Sequence, residues 1–265
     1  MPKFAANLTM LYNEHDFLDR FAAAAADGFT AVEYMFPYPY PAEQLAEKLQ
    51  RHGLTQVLHN LPAGDWAAGD RGVATDPARA GEFRDGVGQA IAYATALDCP
   101  QVNCLVGKTP AGVAADAVER TLVDNLAFAA AELKKAGIRL LVEPINTRDI
   151  PGFHLSGTDQ AERLIEAVGS DNLFIQYDVY HMQVMRGDIV KTVERLLPVI
   201  AHIQVADVPA RNEPGTGELN YPFIFQAIDR LGYAGWIGCE YKPAGRTSDG
   251  LSWLAPHQPA RADAA

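Results

Sequence analysis

The chain is short of cysteine, short of basic residues relative to acidic ones, and free of any unbroken apolar run long enough to cross a bilayer. Its three cysteines, Cys99, Cys104 and Cys239, form no CxxC pair and are odd in number, which argues against a disulfide framework and fits a reducing cytoplasm. Lysine and arginine total 22 against 33 aspartates and glutamates, a net charge of −11. Neutralising a phosphate backbone needs a basic surface, so no nucleic-acid partner is expected. Asn7, Asn13 and Glu14 interrupt the first apolar run, and no cationic stretch opens it. Neither export nor a membrane partner is therefore expected. Low-complexity linkers are missing too. The expectation is a single domain over residues 1–258, with 259–265 as a frayed tail.

What is present is a repeated grammar of apolar strand, loop, helix and glycine stop. The apolar fraction is 48%, enough for two concentric layers. Strands are expected at Phe4–Leu11, Ala31–Met35, Thr55–His59 and Gln101–Leu105. Helices are expected at about Asp16–Asp27, Ala42–His52 and Pro77–Leu97, with a fourth ending at Gly137. Gly28 and Gly53 stand where left-handed helix stops belong. Four further apolar runs follow, separated by helices near Thr158–Val168, Gly187–Leu197 and Tyr221–Leu231. The runs are rich in Val, Ile and Leu without clean alternation, as in strands buried on both faces. Strands alternating with helices imply a parallel sheet, and 265 residues suit one (β/α)₈ barrel, an α/β fold of the TIM type. The long Gly- and Trp-containing loop Asn60–Asp76 reads as a lid over the barrel mouth.

Each of the last four runs ends in a polar side chain: Glu143, Asp178, Gln204 and Glu240, at intervals of 35, 26 and 36 residues. Those intervals match one β/α unit. Parallel strands put all four ends on the one face where such barrels carry their active sites. Two glutamates, an aspartate and a glutamine make an oxygen-only ligand set suited to one divalent cation, Mg²⁺ or Mn²⁺, whereas a zinc site would show histidine or cysteine. The alternative is that each residue caps its own strand. Burying several carboxylates together would still cost several kcal/mol without a compensating cation. Glu143 and Glu240 can also act as acid and base on a hydroxycarbonyl substrate, the other two being chiefly ligands. Spacing alone does not separate these roles, nor an enediolate route from a hydride shift.

Around this set, His181 lies one turn past Asp178, and Arg211 follows Gln204 with a guanidinium able to clamp a carboxylate. Lys108, in the loop after strand four, and His59, near the end of strand three, are further candidates for contact with an anionic substrate. Each of these four also has a structural or solvated reading. Trp66 and Phe153 are candidate pocket walls, and Glu33 either supports the ligands or serves the core.

Several stretches carry a resemblance. They include His59-Asn60-Leu61-Pro62-Ala63-Gly64-Asp65-Trp66, Asn103-Cys104-Leu105-Val106-Gly107-Lys108-Thr109-Pro110 and Val142-Glu143-Pro144-Ile145-Asn146. Others are Gln176-Tyr177-Asp178-Val179-Tyr180-His181-Met182, Glu213-Pro214-Gly215-Thr216-Gly217-Glu218 and Gly238-Cys239-Glu240-Tyr241-Lys242-Pro243. From Phe4 to about Leu254 the chain resembles the hydroxypyruvate isomerases. The resemblance implies a xylose isomerase-like barrel and interconversion of hydroxypyruvate with 2-hydroxy-3-oxopropanoate. It also implies metal ligation by Glu143, Asp178, Gln204 and Glu240, with Glu143 and Glu240 as proton donor and acceptor. The 2-oxo-tetronate isomerases look similar around Gly238–Pro243 and are the nearest alternative. A metal-dependent DNA repair endonuclease shares the barrel class but would want a basic surface and more histidines. A non-catalytic sugar-acid binding protein would be free to lose one of the two glutamates. The implied partner is a small hydroxy-oxo acid, and a homo-oligomer is left open.

Overall fold

Leu140–Val142 and Ile200–Val205 are buried on both faces because each strand has a helix outside it and the barrel interior inside it. In the computed structural model, which describes residues 1–257, eight such strands close into one barrel in sequence order. They are β1 (Lys3–Asn7), β2 (Ala31–Glu33), β3 (Thr55–Asn60), β4 (Gln101–Cys104), β5 (Arg139–Val142), β6 (Leu173–Asp178), β7 (Ile200–Val205) and β8 (Trp236–Cys239). Every neighbouring pair is parallel, and β8 returns to β1 from Lys3 opposite Trp236 to Ala6 opposite Cys239. The expected α/β barrel is the observed fold. The proposed tail, 259–265, lies outside the described residues.

The outer layer comprises α1 (Arg20–Ala26), α2 (Ala42–His52), α3 (Ala80–Ala96), α4 (Ala115–Lys135), α5 (Thr158–Val168), α6 (Val179–Met185), α7 (Ile189–Leu196) and α8 (Tyr221–Arg230). In α4, Val118, Leu122, Leu126, Ala129 and Leu133 are buried at spacings of three and four, one stripe facing the strands. Full burial of each leucine contributes roughly 1.5–3 kcal/mol. Helices α2 and α5 stop at Gly53 and Gly169, whose φ values of 63° and 64° are left-handed. No described helix is long and apolar enough to cross a membrane.

Several boundaries differ from the sequence reading for local reasons. The first strand ends at Asn7 rather than Leu11, because the Asn7 carbonyl Oδ1 accepts the backbone N–H groups of Thr9 and Met10 and turns the chain. The expected helix over Asp16–Asp27 begins as a 3₁₀ turn at Phe17–Asp19 and becomes α1 only at Arg20. Helix α6 was not expected at all. Asp178 starts it as N-cap, its Oδ1 accepting the N–H groups of Tyr180 and His181. The segment Thr247–His257 forms 3₁₀ turns that set Trp253 edge-on against Phe4 and stacked on Phe225.

Inside the barrel, side chains fall into two zones. A small apolar plug of Ala5, Ala31, Val57, Leu58, Leu141 and Ala201, with Phe174 and Trp236 against it, is separate from the larger core between strands and helices. Toward the C-terminal mouth the same strands turn polar two residues later: Asn7 after Ala5, Glu33 after Ala31, Asn60 after Leu58, Glu143 after Leu141. The period of two carries each strand from plug to site.

Candidate active site

The deepest polar layer is organised by Glu33, which is fully buried. Its carboxylate accepts from Asn7 Nδ2 at 2.9 Å, Gln204 Nε2 at 2.7 Å and His202 Nε2 at 2.6 Å. His202 in turn meets Gln101 Nε2 through Nδ1 at 3.3 Å. Gly238 leaves the room this needs, since a β-carbon there would overlap the Glu33 carboxylate. Gln176 Nε2 donates to Gln204 Oε1 at 2.5 Å. A carboxylate cannot donate, so Glu33 fixes which end of the Gln204 amide is nitrogen and which is oxygen.

Above this layer stand Glu143, Asp178, His181 and Glu240, all buried, each offering one ligand atom within 4.8 Å of the others. Glu143 and Glu240 sit one residue beyond β5 and β8, Asp178 ends β6, and His181 lies in the first turn of α6. Asn103 Nδ2 donates to Glu143 Oε2 at 3.0 Å, and Asn7 Nδ2 reaches Glu240 Oε1 at 3.4 Å. Burial pushes the Glu143 carboxyl well above its usual range, and the neighbouring Glu240 and Asp178 add to the shift. Glu240 is likewise raised by burial, with Arg211 opposing. Burial holds His181 down to about 4 although Asp178 pulls the other way, so its imidazole is neutral near pH 7. The second Asp178 oxygen, Oδ2, is buried without a hydrogen-bond partner. An orphaned oxygen among like charges is what a cation-binding cluster looks like when only its protein atoms are considered. The donor set therefore fits one hard divalent ion.

Arg211 supplies the positive charge of the mouth. Its Nη2 meets Glu240 Oε2 at 2.5 Å, and Asp149 and Asp178 lie at 3.7 and 3.9 Å. Burial alone would lower its pKa, but Glu240, Asp178 and Glu143 raise it on balance. The loop bearing it is built on Asp207, whose buried carboxylate accepts the backbone N–H groups of Val208, Gly215, Gly217 and Leu219. Arg211 itself is held at φ 60°, a strained value for a non-glycine residue. Its Nε is buried and unpartnered. The cavity here has a volume of about 90 Å³ and is lined by Asn60, Trp66, Glu143, His181, Arg211 and Glu240 together with apolar neighbours. A larger cleft of about 540 Å³ between α4 and α5 contains none of these carboxylates.

Of the residues singled out from the sequence, Glu143, Asp178, Glu240, His181 and Arg211 converge on this cavity. Gln204 lies directly beneath them, opposite Asp178 in the sheet. Lys108 does not reach it: the side chain is exposed, with Nζ on the Gly69 carbonyl at 3.2 Å, tied to the loop between β3 and α3. His59 does not either. One residue out of step with inward-facing Asn60, it sits between strand and helices beside Tyr38, takes a contact from Gln56 at 3.2 Å, and is held down to about 4 by burial. Trp66 lines the mouth, under an Arg71 guanidinium 3.9 Å from its ring, whereas Phe153 is buried in the main core. Asn7, Asn103, Asn146, Gln176 and His202 had no individual role in the sequence reading. For the strand residues among them the signal was parity, since Gln176 and His202 stand two residues before Asp178 and Gln204 on inward-facing positions.

The barrel and its carboxylate-lined, cation-competent mouth define the class: an α/β-barrel enzyme. The family model described as xylose isomerase-like TIM barrel matches residues 21–257, and the chain belongs to that family. It is 55% identical to a hydroxypyruvate isomerase of Escherichia coli, covering 97% of this chain and 100% of that protein. It is 50% identical to a 2-oxo-tetronate isomerase of Cupriavidus necator, covering 97% and 99%. A Brucella melitensis crystal structure titled AP endonuclease, family 2, superposes with a TM-score of 0.95 at 46% identity, covering 98% and 100%. The sequence expectation of an isomerase of this family is borne out by these relatives.

Proposed function

We propose that the chain interconverts hydroxypyruvate and 2-hydroxy-3-oxopropanoate (tartronate semialdehyde) by proton transfer between Glu143 and Glu240, with one divalent cation, Mg²⁺ or Mn²⁺, held by Glu143, Asp178, Gln204 and Glu240. The observation that carries this reading is the pair of buried glutamates facing one small cavity beside a buried guanidinium. Arg211 offers its unpartnered Nε to the substrate carboxylate, and His181 faces the hydroxycarbonyl end. One glutamate takes a proton from C3 of hydroxypyruvate, and the C–H electrons become the C2–C3 double bond as the carbonyl electrons move onto O2. A proton then returns to C2 from the other glutamate while the O3 proton passes to O2, so atoms and charge balance and the product is an isomer. A bound cation supplies Lewis-acid stabilisation of the negative oxygen charge that develops between these steps. Asn103 and Asn7 keep the two carboxylates aimed inward throughout.

A small cavity favours a three-carbon acid. The second reading, a 2-oxo-tetronate isomerase, is favoured by the Cupriavidus necator relative, and it needs one more carbon under Trp66. A nuclease is disfavoured by the net charge of −11 and by a mouth ringed with carboxylates that would repel phosphates. The three buried free thiols support a cytoplasmic setting. The test is a coupled assay offering hydroxypyruvate and 2-oxo-tetronate side by side, with Mg²⁺ or Mn²⁺ and again after chelation. Faster turnover of the tetronate would move the substrate to the second reading, and equal rates with and without chelator would remove the cation.

A further inference from the structure

His181 presents Nε2 to the carboxylate cluster, 3.6 Å from Asp178 Oδ2 and 3.8 Å from Glu143 Oε1. Distance alone allows two opposite roles. With a lone pair on Nε2 the ring would be a ligand of the cation, and with a proton there it would be a hydrogen-bond donor. The other ring nitrogen decides between them. Asn146, fully buried three residues after Glu143, places its Nδ2 2.6 Å from His181 Nδ1.

The orientation of the Asn146 amide is fixed by contacts independent of the histidine. Its Oδ1 accepts the backbone N–H of Asp149 at 2.7 Å, an arrangement that only an oxygen satisfies. Its Nδ2 lies 3.3 Å from Asp149 Oδ2, a partner that only accepts. Both contacts select the same orientation, and the NH₂ group therefore faces His181. A donor at 2.6 Å requires a lone pair on Nδ1. The ring is then neutral and carries its proton on Nε2.

We propose that Asn146, set by Asp149, locks His181 as the neutral Nε2–H imidazole, making it a donor to a substrate oxygen and not a ligand of the cation. Both carboxylate oxygens near Nε2 are too far for direct hydrogen bonds, so neither takes up the Nε2 proton. In the proposed isomerase, on which only the identity of that substrate oxygen rests, Nε2–H donates to the oxygen that gains negative charge as the C3 proton leaves. His181 keeps its own proton, and the proton-transfer work stays with the glutamates. Asp149 serves both halves of the grip on substrate, since it also lies 3.7 Å from Arg211 and accepts from the Tyr180 hydroxyl at 3.3 Å. Asn146 and Asp149 are positioning residues for His181 and Arg211.

The tautomer is read directly by long-range ¹H–¹⁵N NMR on the full chain without cation, the His181 signals being assigned by their loss in His181→Gln. The expected spectrum has Nδ1 unprotonated and Nε2 protonated; the reverse pattern overturns the proposal. A Mn²⁺ titration supplies the second arm. His181→Gln keeps an N–H donor near the Nε2 position, so Mn²⁺ affinity should fall by no more than about 100-fold, the upper range for losing an outer partner of a metal site, while a larger loss would make His181 a ligand. Asn146→Asp replaces the donor by an acceptor and should move the proton to Nδ1, lowering kcat by about 10²–10³-fold, the usual effect of losing one oxyanion donor. Asn146→Ser covers the case in which the aspartate variant does not fold; it should lower kcat in the same direction while its spectrum shows a mixture of tautomers. An unchanged single tautomer in both variants would show that Asn146 does not set it. None of the spectroscopic or titration readouts needs substrate, so a wrong isomerase assignment would leave them intact and show only in the kinetics.

Discussion

The barrel interior holds two groups of buried carboxylates and satisfies them in opposite ways. Glu33 receives three donors, from Asn7, Gln204 and His202. A layer nearer the mouth, Glu143, Asp178 and Glu240 crowd within 4.8 Å of one another, and an oxygen of Asp178 is left without a hydrogen bond. Burial is equally deep in both places, so depth does not distinguish them. Satisfaction does: a buried charge with all its partners is part of the architecture, and one held short of partners is kept for something that arrives later. The acids themselves divide along the chain, Glu33 ending β2 while the crowded three stand at the ends of β5, β6 and β8.

The contrast would break first in turnover. Glu143→Gln or Glu240→Gln keeps the shape and one oxygen but removes proton transfer, and kcat should fall by about 10²–10⁴ with a smaller change in KM. Near-normal kcat in both, measured at saturating cation, would remove the acid-base assignment and leave a hydride shift as the route. Gln204→Glu is the matching control, expected to alter cation affinity more than rate.

Stability should respond with the opposite ranking. Glu33→Ala strands three buried donors and should lower unfolding free energy by roughly 3–5 kcal/mol, as removal of one partner from a buried polar cluster does. Glu143→Gln in cation-free protein relieves repulsion and should leave denaturant midpoints unchanged or raised. If Glu33→Ala proved harmless and Glu143→Gln destabilising in urea titrations, the division into satisfied and frustrated layers would be wrong.

The smallest effect is in pH dependence. The raised carboxyls at Glu143 and Glu240 bind protons in the folded state that the unfolded chain has released above about 4.5. Their contribution is therefore fully present at low pH and is lost as pH rises through the folded value. His59 and His181, held down to about 4, work the other way between about 4 and 6.5, where the unfolded chain binds the extra protons. Above about pH 6.5 the glutamates act alone. The unfolding free energy of chelated protein should then decline with pH, by at most about 1.4 kcal/mol per pH unit for each extra proton, with a falling melting temperature as the readout, and saturating Mg²⁺ should flatten the slope. A slope unaltered by Mg²⁺ would separate the cluster from cation binding.

The barrel was legible because eight repeats of one grammar leave little choice of topology, and Glu143, Asp178 and Glu240 were legible because a polar residue ending an apolar run marks the strand end. Gln204 was found by the same rule, but its bond to Glu33, 171 residues away, has no local trace. The two residues placed away from the cavity have a common explanation. Lys108 and His59 were chosen by position along a loop or strand, and neither loop direction nor strand parity is fixed by spacing. A one-residue change in parity sends His59 to the helical layer and Asn60 to the mouth. Helix α6 was missed because its start depends on Asp178 folding back on the next two amides, which also brings His181 to the site.

The contact between Asn7 and Glu240 joins the first strand to the residue after the last, 233 positions apart. During synthesis the N-terminal strand leaves the ribosome long before its partner exists, and β1 must wait with one edge open until β8 emerges. The crowded acids share that timetable, since none can be gathered before Glu240 is made. A chain stopped short of that residue would have an open sheet and an incomplete cluster together, and ion capture would therefore mark ring closure as well as readiness for chemistry.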